Sequence, residues 1–549
     1  SRKISVIGTY SYIFCHGSYI EKIIIFLHKK GFVEVKEDRM NEIPYKDLGD
    51  FQRLNNYFQE SEKWMEDKFK FRSIKGSYEI PIKHIICNRS SALYQRCHDY
   101  FHLSNDHTRV RLSDFESSYY NHRFNQKVQK SSLSIIKNFI VNFLLLISSL
   151  AFSCIWILSK IKVRIKGKHI TLAVDYNGGP RDMKFWNFLN DERAKTLVVV
   201  RDKYTLKTFG HLLKGYNVVS SFSGSLDVKS GFSSLIVSLM DGAILFKNYC
   251  FYPPDCFRQI CMLPIKRTKY KALFSKYKCD FFWGRDDYDP QHAIRAQELR
   301  KIGGVSMGFN HGIQSICAIS FQLRYIDFDY YYMHGLGVYN EFYRKTWPNY
   351  LIAKDIGSPL INPQQRGNIL SNDGQDILVL VAPSFHQKKI FEAVEILIQH
   401  FTDLKFHIAT KEKHENEGQF GKLYQKVLNS NYENVFENKK DVYDTLSHCK
   451  YVFSESSTLL AEGVHFDKVV LCYDPDPTFK YLYYRKFPEI IFKDIDQLIK
   501  RISETREKKM PYRDPKLSDL IYLGDQMSWQ FIKEDMIFEI KSKNIRNKK

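Results

Sequence analysis

Five polar residues in a row, Ser454-Glu455-Ser456-Ser457-Thr458, stand between the β-rich run Tyr451-Val452-Phe453 and the apolar, helix-forming segment Leu459–Val464. A further buried-strand run, Val469-Val470-Leu471-Cys472, follows. A strand that delivers hydroxyls to a helix start gathers free backbone N–H groups and the positive dipole end at one point, which suits a phosphate. The same hydroxyls also cap ordinary helices. Glu462 falls one turn into the helix, where a carboxylate can meet a ribose hydroxyl.

Other strand ends carry chemistry too. Asp280–Trp283 runs out at Gly284 and is followed by Arg285-Asp286-Asp287, a cation beside two carboxylates. Gly304–Phe309 ends in Asn310-His311-Gly312, an imidazole next to a glycine. Lys411 and Lys413 follow the strand that ends at Ala409 and offer charge for a phosphate ester. Ser384 closes Ala382-Pro383-Ser384 after the apolar run Ile377–Val381. Asp286 or Asp287 or His311 has the chemistry of a general base toward a hydroxyl. The plainer alternatives are a capping pair for the helix that begins at Pro290 and a hydrogen-bonded strand-end histidine.

The elements that must position these groups alternate. From His169 onward the pattern is strand, turn, helix: Ile170–Val174, the turn Asp175–Pro180, Met183–Leu189, Thr196–Val200, then weaker strands at Tyr216–Ser220 and Gly242–Leu245. Pro290–Lys301 reads as a helix, Tyr330–Met333 as a strand, Val338–Trp347 as a helix, and Gly357-Ser358-Pro359 as a crossover turn. Asn362–Gln375 is a polar linker, after which a second α/β unit starts at Ile377. Two doubly wound units in sequence make a cleft, and ligands in such sheets bind at the carboxyl ends of strands.

Ahead of this core, Lys3–Gly8, Ser18–Lys30 and Phe32–Val35 read as strand, helix and strand, so no signal peptide is expected at Ser1–Tyr10. Gln59–Phe71 reads as helical and Ile82–Ile86 as a short strand. Asn138–Ser159 carries no charge and as a helix reaches roughly 33 Å, enough for a bilayer core. Lys160, Lys162, Arg164, Lys166 and Lys168 follow it, with Arg123, Lys127, Lys130 and Lys137 before it. An anionic membrane surface is the expected partner, with the helix either spanning or lying in the interface. If it spans, the denser positive cluster places the later part of the chain on the cytoplasmic side. The alternative is a core helix of a large domain.

The chain has 549 residues, a formal net charge of +21, 44% hydrophobic and 15% aromatic residues. That length requires several domains, and the composition excludes disorder. The divisions expected are 1–130, an α/β region; 131–168, the hydrophobic helix with basic flanks; 169–361, a first lobe; 362–374, a linker; 375–505, a second lobe; and 506–549, a helical basic tail with mobile last residues. Lysines and arginines are scattered, and no nucleic-acid signature is present, so nucleic acid is not an expected partner. The 11 cysteines form no CxxC pair, which points to reduced thiols used as small hydrophobes, with neither a zinc site nor a disulfide framework.

Taken in order, strand–Asp-Asp, helix, strand–His-Gly, Gly-Ser-Pro, linker, strand–Ala-Pro-Ser and Ser-Ser-Thr–helix resemble glycosyltransferases of the GT-B fold, over about Ile170–Lys500. The groups they are most similar to are bacterial capsule and lipopolysaccharide transferases of the Kdo and polysialyl types, and CDP-glycerol glycerophosphotransferases. The resemblance implies an α/β protein of two Rossmann-like lobes, here with an added N-terminal α/β region and a membrane-associated helix. It implies inverting transfer from a nucleotide-activated donor to a glycan or lipid-linked acceptor, on the cytoplasmic face of a bacterial inner membrane. In the glycerophosphotransferases the strand-end His-Gly pair carries the proposed base, which falls here on His311. In the sialyl-type enzymes a Ser-Ser/Thr pair holds the donor phosphate, which falls here on Ser456, Ser457 and Thr458. Two departures stand out. The acidic pair is followed by Tyr288 where that pattern has Gly, and Lys411–His414 stands where a His-Pro motif is expected.

Three Asp-x-Asp patterns, Asp287-x-Asp289, Asp327-x-Asp329 and Asp474-x-Asp476, recur too freely to mark a metal-dependent transferase. No essential divalent metal and no cofactor beyond the donor are expected. The rival readings are a nucleotide-sugar epimerase, a non-catalytic assembly protein on the same scaffold, and a separate activity in residues 1–130.

Overall fold

The computed structural model describes residues 4–5, 33–34, 78–85 and, from 132 onward, all except 177–180, 191–194, 202, 253, 285–288, 311, 313–320, 360, 362, 372–373, 385, 412–413, 417, 456, 476–482, 507–514 and 549. The sequence-read helices Ser18–Lys30 and Gln59–Phe71 lie outside the described residues. Near the N-terminus β1 (Ile4–Ser5) pairs in parallel with β2 (Val33–Glu34). Residues 79–85 are helical, where the sequence suggested a strand. The i, i+3 spacing of Ile82 and Ile85, both buried, is the helical signal that a short apolar run conceals.

A long helix, α1 (Ser132–Lys160), leads through β3 (Ile161–Lys162) into β4 (Lys168–Tyr176), the first strand of lobe one. The lobe continues as α2 (Arg181–Leu189), β5 (Thr196–Val200), α3 (Lys203–Phe209), β6 (Asn217–Ser220), β7 (Leu226–Asp227), α4 (Val228–Tyr249), α5 (Pro254–Cys261), α6 (Leu263–Lys276), β8 (Tyr277–Gly284), α7 (Gln291–Arg300), β9 (Val305–Phe309), β10 (Tyr330–Met333), α8 (Gly337–Phe342) and β11 (Ile352–Asp355). Among the described residues the main sheet has seven strands in the order β11-β10-β9-β8-β4-β5-β6. Every described pairing within it is parallel. A parallel sheet is covered on both faces, so its strands read as unbroken apolar runs, and all five residues of β5 are buried. The candidate strand at Gly242–Leu245 lies inside α4.

Lobe two follows α9 (Pro363–Ser371), which occupies most of the expected linker. It comprises β12 (Asp376–Leu380), α10 (Gln387–His400), β13 (Phe406–Ala409), α11 (Gly418–Leu428), β14 (Val435–Glu437), α12 (Val442–Leu446), β15 (Cys449–Ser454), α13 (Thr458–His465), β16 (Val469–Tyr473), β17 (Ile491–Phe492) and α14 (Ile495–Thr505). Its sheet has, among the described residues, six strands in the order β14-β13-β12-β15-β16-β17, again paired in parallel.

The chain then returns to lobe one through α15 (Leu517–Leu520) and α16 (Ser528–Lys548). The period-2 alternation of β10 explains the docking. Tyr330 and Tyr332 face α16 and donate to Glu539 (2.8 Å) and Asp535 (2.9 Å), while Tyr331 and Met333 join the opposite core. Ile532 and Met536 fill the same seam. Hydrogen bonds to charged groups are worth about 1.5–3 kcal/mol each, so the segment expected as a helical basic tail is anchored on lobe one at its start. One apolar cluster runs from lobe one through Tyr339, Tyr483, Tyr484 and Leu520 into lobe two. This is the two-lobed Rossmann-like layout that the GT-B resemblance implies.

Candidate functional site

Strand order shows where each sheet opens. In lobe two β12 comes first, β13 and β14 build to one side, and β15, β16 and β17 to the other. The switch therefore lies between β12 and β15, whose ends, Leu380 and Ser454, are in register. Adjacent parallel strands whose crossovers leave in opposite directions open a crevice at their carboxyl ends, the usual ligand site in such sheets. Ser384 leaves β12 there and Ser457-Thr458 leave β15 there, so two of the sequence-read clusters share one crevice. Residues flanking the same edge are tied by their own hydrogen bonds. Ser454 Oγ donates to Leu380 O at 3.0 Å, and Ser384 Oγ accepts from the His386 N–H at 3.2 Å. Lys411 is exposed just past the end of the neighbouring β13.

Ser457 is the N-cap of α13. Its extended backbone (φ −136°, ψ 144°) turns the chain into the helix, and its Oγ accepts from Leu459 N–H at 3.2 Å. Tyr484 fixes the cap from outside by donating to Ser457 O at 2.6 Å. Thr458, at the first helical position, is half-buried and lies against lobe one, because a Cβ on Gly312 would stand 2.9 Å from its Oγ1. The carboxyl ends of β9 and β10 thus face the start of α13 across the cleft.

A chain of polar side chains joins the lobes at this point. Asn310, fully buried at the end of β9, donates from Nδ2 to Gly312 O at 2.7 Å and meets His334 Nδ1 at 3.1 Å through Oδ1. With the Asn310 oxygen as acceptor, His334 Nδ1 must carry the proton. His334 Nε2 then faces Glu462 Oε1 at 3.9 Å, and both Glu462 oxygens accept from Tyr443 OH at 3.1 Å. Glu462 is 1% exposed. The carboxylate read from the sequence as a ribose partner is therefore buried in the seam between the lobes. His334 and Tyr443 were missed by sequence reasoning. The signal for His334 was present, since Met333-His334-Gly335 is a second His-Gly pair closing a strand. Tyr443 had none, as its role depends on α12 packing beside α13.

Of the remaining sequence-read residues, Arg285, Asp286, Asp287, His311, Lys413 and Ser456 lie outside the described residues. Their described neighbours frame them. Gly284 ends β8, Asn310 and Gly312 flank position 311, and Glu455 and Ser457 flank position 456. Gly284 closes β8 at lobe one's own switch point, where β4 and β8 diverge. Buried charge gathers at this edge. Asp175, near the end of β4, takes Arg201 Nε at 3.0 Å, and Arg201 Nη1 reaches Asp289 at 3.6 Å. Lys269 donates to Gln291 at 2.8 Å. Burial first, then the Lys266 charge, pushes Lys269 down to about 7. Burial opposes ionisation of Asp289, but Lys266, Arg201 and the Gln291 hydrogen bonds outweigh it and hold the carboxyl well below its ordinary range.

The described aspartates of the Asp-x-Asp patterns have cationic partners. Asp327 and Asp329 share Arg300, the latter at 2.7 Å, and Asp474 takes Arg485 at 2.6 Å. Among the described residues no group of three or more His, Cys, Asp and Glu side chains converges as a metal site. A cavity of about 370 Å³ lies away from the cleft, lined by Ser234, Val237, Arg267, Lys271, Glu298 and Lys301. It receives no strand end and is not assigned to the donor.

No protein-family model matches the chain, and no curated protein sequence matches it. Solved structures align with it at low identity. A UDP-GlcNAc 2-epimerase from Methanocaldococcus jannaschii, in complex with UDP-GlcNAc and UDP, is 12% identical, with a TM-score of 0.40, over 68% of this chain and 100% of its own. The wall teichoic acid polymerase TagF is 10% identical, with a TM-score of 0.41, over 75% of this chain and 99% of its own. The lipopolysaccharide outer core galactosyltransferase WaaB is 12% identical, with a TM-score of 0.37, over 68% and 99%. These are distant likenesses, so the site is read from its own residues.

Proposed function

We propose that the protein is a membrane-associated glycosyltransferase that moves a sugar from a nucleotide-activated donor to a hydroxyl of a cell-surface polysaccharide or lipid-linked glycan. The observation that carries this reading is the opposition of strand ends across the cleft. The β12/β15 crevice presents Ser384, Ser457 and Thr458 at the start of α13, and lobe one closes on it with Asn310 and Gly312.

The donor's diphosphate or phosphate binds at the α13 N-terminus, with Ser456, Ser457 and Thr458 as hydrogen-bond donors and Lys411 and Lys413 as cations. Glu462, buried beside Tyr443 and facing His334, does not reach the donor and instead supports the end of β9 through His334 and Asn310. His311, with Asp286 and Asp287 as the alternative bases beside Arg285, takes the acceptor hydroxyl proton. The acceptor oxygen bonds the anomeric carbon from the face opposite the leaving group, and the bond from that carbon to the phosphate oxygen breaks. The nucleotide leaves as an anion stabilised by the helix start, so the configuration inverts. Charge is neutralised by side chains and N–H groups, and the reaction proceeds without a divalent metal or added cofactor. The site of action is the cytoplasmic face of the membrane.

His311→Ala is expected to lower transfer by about 10²-fold or more, the usual size of a lost general base, with the melting temperature unchanged. Full turnover in that variant removes His311 from the mechanism and leaves Asp286 and Asp287 to be tested in the same way.

A further inference from the structure

Helices α1 and α4 are built inside out. On α1 the side chains turned toward the protein include Asn142, Leu146, Ser149, Ser153 and Ile157, a continuous stripe at helical spacing that is largely small or polar. On α4 the inward stripe is Gly231, Ser234, Ser238, Gly242 and Leu245. The outward faces carry the large apolar groups: Ile140, Leu144, Ile147 and Ile155 on α1, and Phe232, Ile236, Met240 and Ile244 on α4. Ile155 is 71% exposed and Ile236 59% exposed. A surface helix in water carries the opposite pattern. The two helices pack closely together, and a Cβ on Gly242 would lie 2.8 Å from Leu150 Cδ2. Their outward faces adjoin, with Phe139 and Phe143 of α1 against Phe246 of α4, and form one apolar surface.

We infer that this surface is immersed in one leaflet of an anionic membrane, with both helices in the plane of the bilayer and neither crossing it. This deepens the membrane part of the reading above and is independent of the donor chemistry. The fastening of α1 excludes a span. Asn142 Nδ2 donates to Cys250 O at 2.7 Å and Tyr252 O at 2.8 Å, Ser149 Oγ donates to Cys261 O at 2.8 Å, and Ile157 packs with Leu226 and Ile265. From Asn142 to Ile157 the helix lies along lobe one for roughly 22 Å. A helix bound along that length to a charged α/β lobe cannot be surrounded by hydrocarbon through a bilayer core of about 30 Å. The α4 helix is likewise tied at both ends, through β7 at its start and α5 at its end.

Charge selects the occupant. Lys162, Arg164, Lys166 and Lys168 are exposed where α1 ends, and Lys229 and Lys247 are exposed near the two ends of α4. The one acid within the two helices, Asp241, is half-buried and accepts from Tyr78 OH at 2.6 Å. An apolar face framed by cations fits a leaflet of acidic phospholipid.

The test is flotation of the full chain with vesicles of phosphatidylcholine, with and without phosphatidylglycerol. Binding is expected with the anionic vesicles and is expected to weaken as salt rises. The pairs Ile140→Glu with Leu144→Glu, and Ile236→Glu with Met240→Glu, should each lower vesicle binding at least about tenfold with unchanged melting. In sealed membrane vesicles turned cytoplasmic face outward, external protease should remove tags at both chain termini. Failure of the wild-type chain to float overturns the proposal, as does a loss confined to the α1 pair while the α4 pair floats like wild type. Protection of one terminus shows a span and overturns it too. A lipid-independent dimer that both variant pairs dissociate, without flotation, assigns the face to a second copy. None of these outcomes depends on nucleotide binding, so the donor site stands or falls separately.

Discussion

Glu462→Ala is expected to lower both stability and turnover, whereas Glu462→Gln keeps most of the stability. The carboxylate is fully buried in the seam, accepting from Tyr443 OH with both oxygens and facing His334 at 3.9 Å. Alanine removes that acceptor, leaves a void and exposes Tyr443 OH to the cost of lost hydrogen bonding. Together these are worth about 3 kcal/mol. The catalytic effect is separate. His334 and Asn310 hold Gly312 against Thr458, so loosening the relay disturbs the end of β9 that leads into His311, and a displacement of about 1 Å can cost about 10² in rate. Glutamine preserves the shape and an acceptor for Tyr443 but not the charge facing His334. It should therefore melt within about 1 kcal/mol of wild type while losing rate. Thermal melts and a transfer assay on the two variants separate these contributions. Equal activity in all three proteins sinks the role given to the relay.

Gly335→Ala should destabilise the chain more than any other single methyl added near the cleft. Gly335 follows His334, and a Cβ there would stand 2.4 Å from Leu520 C and 2.5 Å from Leu520 O. Those are backbone atoms of the returning segment, which is held by the Tyr522 N–H donating to His334 O at 2.7 Å. Neither side can rotate away, so the strain is expected to reach about 2–3 kcal/mol, a fall in melting temperature of at least about 4 °C. Gly312→Ala is the natural comparison. Its nearest neighbour is the Thr458 hydroxyl at 2.9 Å, which can turn aside, so stability should fall less while nucleotide binding suffers. A Gly335→Ala protein that melts with wild type would show that the C-terminal segment is not packed as described.

The two α/β lobes and most of their strands were legible because parallel strands buried on both faces read as apolar runs, such as Thr196–Val200 and Val469–Tyr473, whereas the order of the strands in each sheet was not. The helix at 79–85 and the one through Gly242 were not. The first is too short for its period to show. The second carries its apolar residues on the wrong side, with Ser and Gly inward, so it resembles neither a core helix nor a strand. His334 was hidden by the choice of one His-Gly pair over another. Tyr443 and the docking of α16 on Tyr330 and Tyr332 arise from contacts between residues more than a hundred positions apart or on separate helices, which no local pattern encodes.

The most direct test of the donor crevice is a thermal-shift screen of CMP, CDP, UDP and GDP on detergent-solubilised protein, repeated on the Ser456→Ala, Ser457→Ala double variant. A ligand bound only by the folded state raises its apparent stability, by about 2.7 kcal/mol at a hundred times Kd. One nucleotide should shift the wild type clearly and the double variant much less. A flat response to all four nucleotides, or a shift that survives the double change, would contradict a donor site at the start of α13.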